Sequence, residues 1–267
     1  MNDPHVDVLY YAIQPAEGVD YDRAPELSGQ TDDFEYTLTT GGARFRMKKH
    51  FATEDDAKKV VDQFLQAWSI YASMNSASDE MTFHFTSAEI IDRQPASKEE
   101  QSDSISVVVT GSIRCSSHIS VSLSHLRGRF PSPPQRFVVP PDVETMYVRY
   151  QAYRQKRETL LSMAYMCLTV LEASTGPSVK NRREMTGKKY FIDKRVLGTL
   201  GRLVSEKGDV SEVRKMPETG SLTPLTENEK QWIEEVLKKM ILRAGEYGYD
   251  PTSSLPLITM NDFPTLP

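Results

Sequence analysis

The sequence predicts an α+β protein, in which an N-terminal antiparallel β-sheet with one packed helix is followed by a mostly α-helical bundle. Apolar residues alternate along the first half of the chain, as is typical of strands, whereas from Asp142 onward they recur at helical spacing. Between the two patterns lie five prolines, which disfavour regular structure. We therefore expect an α+β domain at 1–130, a proline-rich linker at 131–141, a helical domain at 142–250 and an extended tail at 251–267.

The predicted N-terminal domain contains strands, a hairpin and a helix. The first strand is marked by four alternating residues, Val6, Val8, Tyr10 and Ala12. A hairpin is expected around Thr39-Thr40-Gly41-Gly42, where glycine supplies the positive φ of a tight turn. Thr53 is expected to cap a helix whose apolar face packs on the sheet. Further strands are predicted at Met81–Ile91, Ile105–Ile113 and His118–Leu126.

The C-terminal half is predicted to contain three helices. One apolar stripe from Val143 to Leu171 predicts a single helix from Asp142 to about Ser174, which would be roughly 50 Å long. A second helix is predicted from Asp193 to about Glu206. The third opens with the capping box Thr226-Glu227-Asn228-Glu229.

Composition excludes several classes of protein. The net charge of −5 argues against nucleic-acid binding by the whole surface. No signal peptide is indicated at the N-terminus, and the longest uncharged apolar stretch, Thr159–Leu171, is too short to span a bilayer. The two cysteines, Cys115 and Cys167, form no disulfide framework. These features favour a cytoplasmic protein.

No metal, cofactor or catalytic site is predicted from the motifs. Cys115, His118 and His125 resemble zinc ligands in type, but on one strand His118 would point away from the other two. The chain also has no Gly-x-Ser-x-Gly motif and no phosphate-binding P-loop.

A basic segment is the main functional lead. Between Gly176 and Arg202, eight basic residues accompany only two acidic ones, which gives a local charge of +6. Such an excess, with Tyr190 and Phe191 as stacking surfaces, is typical of RNA-binding segments. The nominated nucleic-acid-binding residues are Arg182, Arg183, Lys188, Lys189, Lys194 and Arg195. The alternative is an ordinary solvated surface that pairs with the acidic face of the last helix.

The C-terminal half resembles the helical domains of the HEPN superfamily, and an uncharacterised group of bacterial proteins. The resemblance rests on five short segments, at 150–154, 162–165, 170–172, 214–215 and 226–232. It implies a HEPN-like bundle over about residues 142–248 that binds RNA or protein. HEPN nucleases use an arginine followed four to six residues later by histidine, whereas here Arg243 is followed by no histidine. The resemblance therefore does not extend to the nuclease motif.

Two functional hypotheses follow. The first is a non-catalytic binding or assembly module that takes RNA or a protein partner. The alternative is a metal-independent HEPN-type ribonuclease, or another enzyme with a site between the two halves, in which Arg243, Glu246 and Tyr247 replace the usual pair. Three tyrosines of the long predicted helix, Tyr147, Tyr150 and Tyr153, form either a homodimer interface or a contact with the N-terminal sheet.

Overall fold

A computed structural model describes residues 2–76, 80–94, 125–176, 181–208 and 223–266. The chain divides into two compact units, residues 1–134 and 135–267, and the division falls inside the predicted linker. The first, the sheet unit, contains a five-stranded antiparallel sheet and a helix. The second, the helical unit, contains five helices within its described residues. This arrangement confirms the predicted α+β class. No helix in the described ranges combines the length and the apolar character that a membrane span needs.

The sheet unit consists of β-strands and one long helix. Its elements are β1 (Pro4–Pro15), β2 (Val19–Asp20), β3 (Leu27–Gln30), β4 (Phe34–Thr39), β5 (Gly42–Met47), α1 (Glu54–Asn75), β6 (Met81–Asp92) and β7 (His125–Leu126). The main sheet has the order β3-β4-β5-β1-β6, and β2 pairs with β7 in parallel. The predicted strand at 105–113 and most of the one at 118–126 lie outside the described residues.

The predicted hairpin is confirmed as β4 and β5. Thr39 pairs with Gly42, so Thr40 and Gly41 form a two-residue turn. Gly42 has a φ of 135°, and a Cβ at this position would lie 2.7 Å from the carbonyl oxygen of Tyr11. Any larger residue would therefore be strained and would also push β5 away from β1.

The core of the sheet unit lies between one face of the sheet and α1. Thr53 caps the helix as predicted, since its side chain accepts a hydrogen bond from the amide of Asp56. Trp68 is fully buried, and its ring packs against Tyr36 of β4, Phe64 of α1 and Phe83 of β6. Its indole donates to the carbonyl oxygen of Pro131 at 3.1 Å. The hairpin residues that alternate in sequence, Phe34–Leu38 and Phe45–Met47, supply the sheet side of this core.

β1 forms where the first strand is predicted, but its alternation is interrupted after Val6. Val6, Leu9 and Tyr11 belong to the core cluster that packs against α1, whereas Val8 is buried outside that cluster and Tyr10 and Ala12 are only partly buried. The register with β6 shifts between Val6 and Val8, where β1 has one extra residue, and shifts back between Tyr10 and Tyr11. A one-residue shift exchanges the two faces of a strand, and simple alternation does not reveal it. Tyr10 consequently lies on the face opposite α1.

The helical unit contains two helices where the sequence predicted a single long one. Its helices are α2 (Pro141–Arg154), α3 (Leu160–Ala173), α4 (Arg182–Tyr190), α5 (Lys194–Glu206) and α6 (Glu227–Tyr249). The chain turns at Lys156, whose φ is 57°, and Thr159 then caps α3 by accepting from the amide of Ser162. The apolar stripe continues through the break because α2 and α3 bury their apolar faces in the same core, where Cys167 Sγ lies 3.8 Å from the carbonyl oxygen of Met146.

The remaining predicted helices are confirmed. α5 buries its apolar stripe of Val196, Leu197, Leu200 and Leu203. α6 begins with the predicted capping box, in which Thr226 and Glu229 bond each other's backbone amides. The tail belongs to the helical unit, because Ile258 and Phe263 are buried in it and the Phe263 ring packs on Trp232.

A buried histidine makes the sheet unit sensitive to acid. His5 is only 2% exposed, and its Nδ1 accepts a hydrogen bond from the amide of Phe51 at 3.4 Å. Its ring stacks on His50 with centroids 5.3 Å apart. Burial, with the charges of Arg93 and His50, lowers the pKa of His5 below its ordinary 6.5, and Asp7 and Asp3 oppose this shift only in part. The imidazole is thus held in its neutral form.

We expect the sheet unit to lose stability as the pH falls below about 6.5, because the unfolded chain then binds a proton that the folded unit excludes. The loss contributed by His5 should not exceed about 1.4 kcal/mol per pH unit and should stop below its folded pKa. The free energy of unfolding of the sheet unit at each pH is measured by urea unfolding, followed by Trp68 fluorescence in a Trp232→Phe background. His5→Gln should remove this component, while His84→Gln, at an exposed position of β6, should retain it; equal slopes in both variants would contradict the assignment.

Candidate nucleic-acid interface

The basic segment forms two helices that are joined by a tight turn. α4 ends at Tyr190, Phe191 has a φ of 52°, and Asp193 caps α5 by accepting from the amide of Arg195. Only three residues, 191–193, separate the helices. Gly187 permits this turn, because a Cβ at its position would lie 2.6 Å from the carbonyl oxygen of Ile192.

Arg243 of α6 fixes the end of α4. Its guanidinium donates to the carbonyl oxygens of Tyr190 at 3.0 Å and Phe191 at 3.1 Å, and its Nε donates to Glu246 at 2.9 Å. The side chain is buried, with 8% of its surface exposed. The last carbonyl oxygens of a helix have no hydrogen-bond donors within the helix, and they carry partial negative charge. The buried guanidinium supplies both the donors and a compensating positive charge. Arg243 is therefore a structural residue.

The C-terminal tail also forms hydrogen bonds with the turn between α4 and α5. The amide of Ile258 donates to the carbonyl oxygen of Phe191, and the amide of Asp193 donates to the carbonyl oxygen of Ile258, both at 2.8 Å. These two bonds form a short parallel bridge between Ile192 and Ile258. The direction in which α5 leaves the turn is thus fixed by α6 and by the tail together.

Three of the six nominated residues form ion pairs at the surface. Arg183 bonds Glu172 at 2.9 Å, Lys188 bonds Glu184 at 2.8 Å and Arg195 bonds Asp193 at 2.7 Å. The hydrogen bonds from Arg195 hold the pKa of Asp193 below its usual range, so this carboxylate is charged at neutral pH. Exposed pairs of this kind are weak, and the side chains of Lys188 and Arg195 remain 67% and 70% exposed. The carboxylates that pair with these three residues lie on α3, on α4 and before α5, and not on α6, where the sequence alternative placed them.

Lys189 points into the helical unit. Its Nζ donates to the carbonyl oxygen of Ser174 at 2.8 Å and to the Ser174 hydroxyl at 3.1 Å, and it lies over the rings of Tyr190 and Tyr247. Tyr190 is only 3% exposed, so the expectation that it offers a stacking surface is wrong. Helical spacing explains this, because residues 189 and 190 fall on the face of α4 that meets α3 and α6.

The outward face of α5 collects the exposed cations that remain. Arg195, Gly198, Thr199 and Arg202 line a shallow open depression of about 400 Å³, to which the tail adds Met260. A Cβ at Gly198 would meet nothing within 4 Å, so the floor of the depression is open. Within the described residues, neither Lys194 nor Arg202 forms an ion pair.

Arg202 was counted in the basic segment but was not among the nominated residues. Its spacing could have revealed it, because positions 195, 198, 199 and 202 repeat at helical intervals opposite the buried stripe of α5. We define the α5 face as Lys194, Arg195, Gly198, Thr199 and Arg202. Arg182 and Lys188 lie on α4, where both are exposed.

The three nominated tyrosines of α2 make contacts inside the helical unit. Tyr150 is buried, with 3% of its surface exposed, so it is not available as a surface residue for a homodimer interface. The hydroxyl of Tyr153 donates to Glu234 of α6, and burial raises its pKa. The hydroxyl of Tyr147 accepts from Gln151 at 2.6 Å. A homodimer stays a prediction that these contacts do not support.

The residues proposed for the enzyme alternative serve the fold. Arg243 is buried and hydrogen-bonded, and the ring of Tyr247 packs on Tyr190 with centroids 5.1 Å apart. Cys115, His118 and the side chain of His125 lie outside the described residues. In the part of the chain that the structure describes, no three His, Cys, Asp or Glu side chains form a group able to hold a metal ion. Burial raises the pKa of Cys167 to about 12, so this thiol is unreactive at neutral pH.

Comparisons of the chain with family models, curated proteins and solved structures find no match in any of the three. The resemblance to the HEPN superfamily therefore stays a prediction. The α5 face has to be interpreted from its own geometry.

We expect Arg243→Met to destabilise the helical unit by about 2 to 3 kcal/mol, because it removes the side-chain donor to the carbonyl oxygen of Tyr190, one of the two donors to that of Phe191, and the partner of Glu246. Urea unfolding followed by Trp232 fluorescence, in a Trp68→Phe background, measures the loss. Arg202→Met is the matched control, and at an exposed position it should change the free energy of unfolding by less than about 0.5 kcal/mol. Similar values for the two variants would contradict the structural role of Arg243.

Proposed function

We propose that the helical unit is a nucleic-acid-binding module that contacts backbone phosphates through the α5 face. RNA is the ligand that we expect from the composition of the basic segment. The observation that carries the proposal is the open depression between Arg195 and Arg202, whose described lining residues include no acidic side chain. Two arginines separated by two helical turns can each bind one phosphate in a bidentate manner.

The charges around this face support the proposal. Between residues 181 and 202, seven basic side chains accompany two acidic ones, Glu184 and Asp193. Glu184 is held in an exposed ion pair with Lys188, which a phosphate can replace at little cost. Asp193 caps α5, while the guanidinium of its partner Arg195 stays 70% exposed and open to a phosphate. The positive charge therefore stays available to a polyanion although the whole chain carries −5.

The burial of Tyr190 bears on which kind of nucleic acid could bind. With Tyr190 buried, stacking of single-stranded bases loses one of its two predicted platforms. Contacts with RNA would then be made to phosphates, because the major groove of A-form RNA is too narrow for side chains to read.

Duplex DNA is a second candidate, and one observation favours it. The three-residue turn between α4 and α5 is typical of paired helices that place the second helix in a major groove. α5 has 13 residues, a length of about 20 Å, and the major groove of B-DNA admits one helix. The N-terminal residues of α5, Lys194 and Arg195, would then lie closest to base edges.

Binding of labelled single-stranded RNA, single-stranded DNA and duplex DNA of equal length, at two salt concentrations, tests the proposal. The triple variant Lys194→Gln, Arg195→Gln, Arg202→Gln should weaken binding at least about tenfold and lower the salt slope by up to about 3, since each phosphate contact releases about one counterion. The control Lys230→Gln, Lys238→Gln, Lys239→Gln removes the same charge from α6 of the same unit and should retain most of the affinity.

Equal losses in the two triple variants would indicate a long-range effect of charge and would contradict a site on α5. If the unmodified protein binds none of the three ligands, nucleic-acid binding is excluded and assembly with a protein partner becomes the better explanation. The RNA is recovered on a denaturing gel, where cleavage would revive the ribonuclease alternative.

A further inference from the structure

The sheet unit has a depression on the face of the sheet opposite α1. It measures about 580 Å³ and lies across four strands, β4, β5, β1 and β6. Its lining combines apolar surface with several hydroxyl groups, and among the described residues that line it Arg44 is the only charged one. Its size falls within the range of small-molecule sites.

One row of residues crosses the floor of this depression. Thr37 of β4 pairs with Arg44 of β5, Arg44 pairs with Tyr10 of β1, and Tyr10 pairs with Ser87 of β6. Directly paired residues on adjacent strands lie about 5 Å apart, so the row spans roughly 14 Å from Thr37 to Ser87. The two register shifts between β1 and β6 bring Tyr10 and Ser87 onto this face.

The polar groups of the row differ in what they already bind. The hydroxyl of Tyr10 donates to Glu89 at 2.7 Å, a bond that raises the pKa of Tyr10 against the opposing charge of Arg44. Among the described residues, the hydroxyls of Thr37 and Ser87 have no hydrogen-bond partner, and exposed Arg44 has no carboxylate partner. An arginine fork and one hydroxyl thus lie at one end of the row, and a second hydroxyl lies at the other.

We propose that this depression binds a small phosphate ester, with its phosphate on Arg44 and Thr37, its organic part against the ring of Tyr10 and a polar group at Ser87. A phosphate matches the first end because its three acceptor oxygens suit the two donors of an arginine fork plus a hydroxyl. The remaining volume and the roughly 14 Å span accommodate an attached organic group such as a nucleoside. This site is independent of the α5 face, because it is built from residues of the sheet unit alone.

Titration of the full-length, isotope-labelled protein with AMP, adenosine, inorganic phosphate and acetate, followed by backbone amide NMR, tests the proposal. AMP should shift the amides of Gly41 to Arg44 in a saturable manner, and should bind more tightly than inorganic phosphate, acetate or adenosine. Arg44→Gln should weaken AMP binding about tenfold, the loss expected for a charge-assisted bidentate contact. Arg46→Gln is the matched control, because Arg46 lies on the same strand and face but does not line the depression.

Four outcomes would overturn the proposal. They are the absence of saturable shifts with AMP, equal losses from Arg44→Gln and Arg46→Gln, adenosine or acetate binding as tightly as AMP, and loss of AMP binding in the α5 triple variant. Unchanged amide spectra of the two arginine variants without ligand show that both are folded. A failure here leaves the nucleic-acid proposal untouched, since the two experiments use different ligands and different variants.

Discussion

The helical unit depends on one buried ionic contact, in which the guanidinium of Arg243 bonds the carbonyl oxygens of Tyr190 and Phe191. Burying a charge costs several kcal/mol unless its donors are satisfied, and here the partners are the negative end of a helix and the carboxylate of Glu246. The contact holds α4 at the point where the chain reverses. Since α5 begins three residues after Phe191, the position of its basic face depends on a residue that is itself buried.

The sheet unit depends on register in a comparable way. One extra residue in β1 and a later shift in β6 compensate each other, so the strands stay paired over their whole length while the inward face changes. Leu9 and Tyr11 thereby join the core beneath α1, and Tyr10 is placed beside Arg44 on the opposite face. A strand without the shifts would bury Tyr10 and expose Leu9. The same irregularity therefore serves the core and the depression.

The sequence predicted those parts of the fold that local patterns determine. The hairpin with Gly42, the cap at Thr53 and the capping box at Thr226 were predictable, because each is a short-range interaction between residue type and backbone. The break between α2 and α3 was not, since both helices bury the same stripe and the five residues between them contain neither glycine nor proline; the turn depends on the positive φ of Lys156. The basic segment was found by composition, but composition does not say which way a side chain points. For that reason the nominated Lys189 lies inside the helical unit, whereas Arg202, which was not nominated, lies at the surface. No local sequence pattern indicates that Arg243 bonds the end of a helix 53 residues earlier in the chain.

The bridge between Ile258 and the α4–α5 turn has a consequence for the order of events during synthesis. α4 and α5 emerge from the ribosome before Arg243 and Ile258 have been made, so the turn between them then lacks both of its braces. The sheet unit, a compact unit that ends at residue 134, precedes the helical unit in the chain and can begin to fold while the helical unit is still incomplete. The basic face of α5 is thus among the last surfaces to take its final form, and a growing chain has little means of holding a polyanion there before its own folding is complete.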